Sequence, residues 1–262
     1  MCTYQTNSLP KYVALSYTWG PPQQDAIGYG PDDKVPVLVN GRPLPLFRNL
    51  GNTLKSLYRA WDFDDDVQHL WVDAICINQD DEAERASQVN IMDRIYRGAA
   101  STCVWLGEES RSQTTAPIFR NILNAASEDF APYYHQYPSG TPPADVFWHS
   151  KGLPCPDDEG QWAPVRRLFQ NRWFNRAWVI QEVLLSSNIY VSWGSTWMTW
   201  DDLGKMGLMG HVAKLGQHGA LPALFQHLSG ESTHPEPETQ DWAAHDPVTS
   251  ALHLWLNGHR YL

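Results

Sequence analysis

Residues 175–185, NRAWVIQEVLL, carry the residue types in this chain that are best suited to chemistry. The pattern predicts a helix in which Trp178 and Glu182, four residues apart, lie on one face. A carboxylate beside an indole in an otherwise apolar helix favours a functional site, because Asp and Glu are rarely buried without a partner. The alternative is structural: Glu182 pairs with Arg172 or Arg176 and only holds the helix in place.

Two strand-like runs place further polar residues where a site is expected. Residues 12–17, YVALSY, predict a buried strand that stops at 18–22, TWGPP, and a buried strand ending in a polar loop is a common ligand position in α/β proteins. Residues 69–77, HLWVDAICI, predict a central strand that is apolar on both faces. Asp73 interrupts this second run and is either a paired structural residue or part of a site.

The elements that must position these residues alternate between strand and helix from 12 to 195. This order predicts an α/β layered domain with a largely parallel central sheet flanked by helices. Asn40-Gly41 between two strand-like runs predicts a β-hairpin insertion. Other predicted elements are helices over 49–61, 82–97, 116–127, 162–169 and 200–215, and strands over 102–106 and 188–193.

Two of the helices have a predicted apolar face. In 49–61, Asn49 or Asn52 caps the helix, with Leu54, Leu57 and Tyr58 on one face. In 82–97, Val89, Met92, Ile95 and Tyr96 form the apolar stripe and Gly98 caps the end.

The motif-bearing domain is predicted to span 1–202. Residues 203–262 are predicted to be a helical appendage with a linker at 229–247.

Composition excludes several classes of function. The chain has 262 residues, 42% of them hydrophobic, and a net charge of −10, which argues against a nucleic-acid-binding surface. The four cysteines lack CxxC spacing and are expected to be reduced thiols. No signal-peptide core or run of about 20 apolar residues occurs, so we expect a cytoplasmic protein without a membrane span. Scattered histidines and the absence of a P-loop, GxSxG or HExxH predict no metal and no cofactor.

Five motifs in a fixed order resemble the heterokaryon incompatibility (HET) domain of filamentous fungi. Together they cover roughly residues 10–200. They are YVALSYTWG at 12–20, LWVDAICINQ at 70–79, ER with QV and IY between 84 and 96, VWLG at 104–107, and RAWVIQE at 176–182. The resemblance implies a role in non-self recognition and in the programmed cell death that follows fusion of incompatible hyphae.

A more remote resemblance to TIR domains implies a reaction. Some TIR domains cleave NAD⁺ with a glutamate in a Trp-x-x-x-Glu pattern, which Trp178 and Glu182 match. By this analogy Glu182 is the catalytic carboxylate and NAD⁺ is a substrate rather than a cofactor. The same analogy expects further residues to bind the substrate: Ser16, Tyr17, Trp19, Asp73 and Trp178.

Two other interpretations remain open at this stage. In the first, the domain is a non-enzymatic signalling module that triggers cell death through self-association or through a protein partner. Trp178 and Glu182 are then core and ion-pair residues, and the abundant Trp and Tyr serve as interface anchors. In the second, the chain is an inert, truncated relative. An open cleft that Glu182 shares with Ser16 and Asp73 favours the enzyme, whereas burial against an arginine favours a structural role.

Overall fold

Five strands form the sheet that carries the candidate residues. Their spatial order is β4-β1-β5-β6-β7. They comprise β1 (Tyr12–Tyr17), β4 (His69–Trp71), β5 (Ser101–Trp105), β6 (Ile189–Trp193) and β7 (Thr196–Thr199). The computed structural model describes residues 10–23, 29–30, 33–60, 69–108, 116–127, 145–176 and 178–212.

The strand β1 runs parallel to both of its neighbours, and β5 runs parallel to β6. Tyr17 at the end of β1 is level with Trp105 on β5, which is level with Ser192 on β6. All six residues of β1 are buried, as expected for a parallel strand with both sheet faces covered. The predicted α/β architecture with a largely parallel sheet is therefore confirmed.

Alternate residues of β1 enter two separate apolar clusters. One cluster joins Val13, Leu15 and Tyr17 to residues of α1 (Arg48–Ala60) such as Leu50. The second joins Tyr12 and Ala14 to Ile95 and Tyr96 of α4 (Met92–Gly98) and to Ala99. Ser16 has the same alternation as Ala14, so its side chain emerges on the α4 face of the sheet.

The predicted hairpin is confirmed. Strands β2 (Lys34–Val39) and β3 (Arg42–Phe47) pair antiparallel around Asn40-Gly41. Both turn residues have positive φ, 51° for Asn40 and 75° for Gly41, the conformation for which Asn-Gly is selected. The chain passes directly from β3 into α1, and Asp33 forms a bidentate ion pair with Arg48 at this junction.

The predicted strand over 69–77 was wrong in its length and its position. The strand β4 ends at Trp71 and lies at the edge of the sheet, and a short helix, α2 (Asp73–Cys76), follows it. The Asp73 carboxylate accepts a hydrogen bond from the Ala74 amide at 2.7 Å, and the Cys76 amide bonds to the Val72 carbonyl at 2.7 Å. These local bonds compete with a strand ladder, which an apolar pattern does not reveal.

Two predicted helices also differ in detail. The helix over 82–97 is divided into α3 (Glu82–Val89) and α4, and Val89 is 45% exposed rather than on an apolar stripe. Gly98 lies within α4, and Ala99 is its cap. In α1, Tyr58 is 87% exposed, so it does not share the face of buried Leu57.

Asn49 lies inside α1 and does not cap it. Its amide donates to the Thr18 carbonyl at 2.7 Å and accepts a hydrogen bond from Trp105 Nε1 at 3.1 Å. Asn49 is 1% exposed, so these bonds satisfy a buried polar group and fix the end of β1 against β5.

The chain divides into two compact units, residues 1–108 with 176–198, and residues 109–175 with 199–262. The second unit is helical in its described part. Its elements are α5 (Ala116–Ser127), α6 (Asp145–Ser150), α7 (Glu159–Phe169), a 3₁₀ turn (Arg172–Asn175) and α9 (Trp200–Val212). Edge-to-face contacts join Trp148 to Trp162, at 5.9 Å between ring centroids, and Trp173 to Trp200, at 6.2 Å.

The predicted boundary after residue 202 remains a prediction. The predicted linker at 229–247 lies outside the described residues, as does the end of the helix predicted to run to 215. Among the described residues, no helix is long and apolar enough to cross a membrane.

Candidate functional site

Glu182 lies on a short helix, α8 (Val179–Leu184), beside the central sheet. The predicted helix over 175–185 was too long, because Asn175 ends the 3₁₀ turn and Trp178 is the N-cap of α8. The Glu182 amide bonds to the Trp178 carbonyl at 3.1 Å. Val179 and Val183 are buried, so α8 turns its apolar side inward and carries Glu182 with it.

Two side chains bond directly to the Glu182 carboxylate. Ser16 donates its hydroxyl to Oε2 in a buried hydrogen bond. Arg176 approaches both oxygens, with Nη1 3.2 Å from Oε2 and Nη2 3.0 Å from Oε1. Glu182 is 2% exposed, whereas the Arg176 side chain is 22% exposed. The structure brings Ser16 to Glu182, but it buries the carboxylate against Arg176, which is the outcome that favours a structural role.

The electrostatic environment of Glu182 is balanced between opposing influences. Burial raises the pKa of its carboxyl above the ordinary value, and the negative charge of Asp73 adds to the increase. The charge of Arg176 and the hydrogen bonds from Ser16 and Arg176 oppose that rise without cancelling it. A carboxylate whose pKa is raised in this way is a candidate for acid–base or electrostatic work.

Asp73 begins α2, immediately beyond the carboxyl end of β4, and it positions Trp19. The Trp19 indole Nε1 donates to Asp73 Oδ2 at 2.7 Å, and the Gln79 side-chain amide donates to the Asp73 carbonyl at 3.0 Å. Trp19 is 37% exposed, and its ring centroid lies 6.3 Å from that of Phe47. One face of an oriented indole is therefore available beside a carboxylate.

Two buried tyrosines belong to the same neighbourhood. Burial, followed by the negative charge of Asp73, raises the pKa of Tyr17 far above its ordinary value. Burial, followed by the charges of Glu182 and Asp73, raises the pKa of Tyr96 in the same direction. Tyr96 donates to the Leu15 carbonyl at 3.3 Å, whereas the Tyr17 hydroxyl has no hydrogen-bond partner of ordinary geometry among the described residues.

Trp178 has different surroundings from the rest of the predicted set. Its side chain is 43% exposed, compared with 2% for Glu182. The four-residue spacing therefore links these two residues through the helix backbone, but one side chain faces solvent and the other is buried.

Sequence reasoning did not single out Gln79 or Tyr96 as site residues. Gln79 closes the motif at 70–79, and a polar side chain directly after an apolar run was the available signal. Tyr96 was assigned to an apolar stripe, and its burial fits that assignment. Its proximity to two carboxylates follows only from the packing of α4 on the sheet.

These residues surround the carboxyl ends of parallel strands. Ser16 and Tyr17 end β1, Asp73 follows β4, and Glu182 approaches from α8. In open α/β sheets ligands bind at this edge. Among the residues that the structure describes, no group of three or more His, Cys, Asp or Glu side chains is arranged to hold a metal ion.

The fold and this edge define an α/β domain with a largely parallel sheet and a buried glutamate at the carboxyl ends of its strands. The family model for the heterokaryon incompatibility protein (HET) matches residues 12–182, from β1 to Glu182. The chain belongs to the HET family, so the resemblance inferred from the five motifs is confirmed.

Two curated fungal proteins are similar to parts of this chain. "Heterokaryon incompatibility protein 6, OR allele" of Neurospora crassa is 38% identical over 103 residues, 37% of this chain and 14% of that protein. "Vegetative incompatibility protein HET-E-1" of Podospora anserina is 25% identical over 187 residues, 70% of this chain and 10% of that protein. The chain thus spans a small fraction of these relatives. No solved structure matches it.

Proposed function

We propose that this chain acts in heterokaryon incompatibility, as a domain that converts non-self recognition into cell death. Membership of the HET family supports the proposal, and so do the names of the two relatives, a heterokaryon incompatibility protein and a vegetative incompatibility protein.

We further propose that the domain acts by cleaving NAD⁺ at the bond between nicotinamide and ribose. The observation that carries this proposal is the meeting of Ser16 and Glu182 at the carboxyl edge of the sheet, within the electrostatic influence of Asp73. Ser16 on β1, Asp73 on α2 and Glu182 on α8 come from separate elements. Hydroxyl and carboxylate side chains of this kind bind ribose hydroxyls, and the carboxylates also attract positive charge.

The proposed reaction breaks the C1′–N bond of the nicotinamide riboside. The bonding electron pair leaves with the nicotinamide nitrogen, which neutralises the pyridinium, so the leaving group needs no general acid. Positive charge then develops on the ribose, and the Glu182 carboxylate stabilises it. Water adds its oxygen to C1′ and releases one proton, giving ADP-ribose and nicotinamide. Ser16, Tyr17 and Asp73 bind hydroxyl groups, and Trp19 or Trp178 stacks on a ring.

A second candidate function is favoured by one observation. Glu182 is 2% exposed, and Arg176 bonds to both of its oxygens, so the carboxylate is already satisfied within the protein. Such a pair suits a signalling module that acts through self-association or partner binding. The exposed ring of Trp178 is then an interface anchor.

One assay separates the two candidates. NAD⁺ loss and nicotinamide release are measured over time with the purified full chain, at protein concentrations up to those at which it self-associates. Glu182→Gln is compared with Glu82→Gln, the same chemical change at an exposed position of α3. If the domain is a hydrolase, the wild type and Glu82→Gln consume NAD⁺ and Glu182→Gln does not. Absence of turnover from folded, self-associated protein rejects the hydrolase and favours the signalling module.

A further inference from the structure

The ion pair between Arg176 and Glu182 is uneven in its access to solvent. Glu182 is almost fully buried, whereas about one fifth of the Arg176 side chain is exposed. Arg176 precedes α8 in a non-helical position directly after the 3₁₀ turn. Arginine is therefore the partner that can leave, while the carboxylate stays where the sheet and α8 hold it.

Arg176 also conflicts with the chemistry proposed for Glu182. Its two bonds, with the Ser16 hydrogen bond, use both carboxylate oxygens. Its positive charge cancels the negative charge that a developing ribosyl cation requires. Removal of Arg176 without replacement leaves a buried, unpaired carboxylate, which is strongly unfavourable. Either the carboxyl takes up a proton or another cation takes the place of the guanidinium.

We propose that Arg176 occupies the position of a cationic ligand and that Glu182, once freed from Arg176, binds a planar organic cation of the nicotinamide class. The guanidinium is itself a planar cation bonded edge-on to the carboxylate. The neighbouring Asp73 adds a second negative charge, and Trp19, bonded to it, adds an exposed aromatic face on which a flat cation stacks. This inference takes its ligand class from the proposed function, but its test does not require turnover.

The test is cation-dependent stabilisation of Arg176→Ala in the full chain. Thermal unfolding is followed with 1-methylnicotinamide, which is a cation, and with nicotinamide, which has nearly the same shape and no charge. We expect 1-methylnicotinamide at about ten times its Kd to raise Tm by about 3–6 °C, and nicotinamide to have no effect. The wild type, in which Arg176 competes for the position, is stabilised less than Arg176→Ala, and Arg176→Ala/Glu182→Gln, which lacks the carboxylate, is not stabilised.

Three results overturn the inference. They are equal stabilisation by the neutral compound, equal stabilisation of the double variant, and stabilisation by ethylguanidinium but not by 1-methylnicotinamide. The last shows a position that accepts only an arginine-like group. If Arg176→Ala is unfolded in buffer, the readout is recovery of the near-ultraviolet circular dichroism of its tryptophans, and failure of 1-methylnicotinamide to restore it also overturns the inference.

The failure of this inference is distinguishable from the failure of the proposed function. If the wild type consumes NAD⁺ but cations do not stabilise Arg176→Ala, the hydrolase proposal stands and the role proposed for Arg176 is rejected. If 1-methylnicotinamide stabilises Arg176→Ala but the wild type does not consume NAD⁺, the cation site stands and the hydrolase proposal is rejected.

Discussion

Ser16 and Glu182 are joined by a buried hydrogen bond although 166 residues separate them in the chain. The serine is the penultimate residue of β1, which lies between β4 and β5 in the sheet, and the glutamate lies on a helix at the end of the HET match. This bond makes the candidate site a product of tertiary structure, and it leads to the first prediction.

Ser16→Ala is expected to lower the free energy of unfolding by about 1.5–3 kcal/mol, because it removes a buried hydrogen bond to a charged acceptor. Chemical denaturation measures the loss. The matched control is Ser192→Ala, on β6. Its hydroxyl is also buried but has no hydrogen-bond partner among the described residues, so its removal is neutral or stabilising. Equal costs for the two variants contradict the assignment of the Ser16 hydrogen bond.

The stability contributed by Glu182 is expected to depend on pH. Its pKa is raised above the ordinary value of 4.5 in the folded state, so the folded protein holds this proton more tightly than the unfolded chain does. The stabilisation is therefore fully present below about pH 4.5 and is lost as pH rises through the raised folded pKa. Subtracting the unfolding free energy of Glu182→Gln from that of the wild type, measured between pH 4 and 8, isolates this contribution.

Removing the charge of Asp73 is expected to weaken the pH dependence of the stability that Glu182 contributes. The charge of Asp73 raises the pKa of Glu182, so Asp73→Asn is expected to narrow the pH range over which the stabilisation is lost. A profile unchanged by Asp73→Asn indicates that the two carboxylates are not electrostatically linked.

Cys103 is expected to resist thiol reagents in the native state. It is fully buried on β5, and burial raises the pKa of its thiol to about 12, so almost no thiolate exists at pH 8. Iodoacetamide labelling followed by mass spectrometry should modify partly exposed Cys155 in the native protein and Cys103 only after denaturation. Native labelling of Cys103 at the rate of Cys155 refutes this packing.

Gly107→Ala is expected to destabilise the protein by about 2–4 kcal/mol, since it combines backbone strain with a clash. Gly107 has a φ of +95°, and an added Cβ lies 2.6 Å from two ring atoms of Pro22. Gly41→Ala is the control. Its φ is +75° and nothing lies within 4 Å of the added atom, so only the strain of about 1 kcal/mol applies. If the two variants lose similar amounts of unfolding free energy, the contact with Pro22 does not account for the cost at Gly107.

The sequence predicted those parts of the fold that depend on local pattern. Six consecutive strand formers at 12–17 and an Asn-Gly turn led to the correct β1 and β2–β3 hairpin, because both depend on properties of neighbouring residues. The strand predicted over 69–77 failed for a physical reason. Apolar character on both faces describes a buried strand and a buried helical turn equally well, and the Asp73 carboxylate bonded to the Ala74 amide instead.

Part of the candidate site was predictable as a set of residues, but its hydrogen bonds and ion pair were not. An acidic residue in an apolar helix suggested Glu182, and the TIR analogy suggested Ser16 and Asp73. Arg176 was one of two arginines that the sequence offered as a partner, and only tertiary packing distinguishes it from Arg172. The indole of Trp178 was expected to share the surroundings of Glu182, but a short helix gives neighbouring turns different exposure.

The interruption of the first unit by residues 109–175 has a consequence for biosynthesis. The strands β1, β4 and β5 leave the ribosome before β6 has been translated, so the nascent sheet has an unpaired edge at β5 while the intervening segment is made. Arg176 and Glu182 reach Ser16 only after that delay. A nascent chain that stops before residue 176 therefore has the open edge and lacks the ion pair, which makes such a fragment a natural substrate for chaperones and proteases.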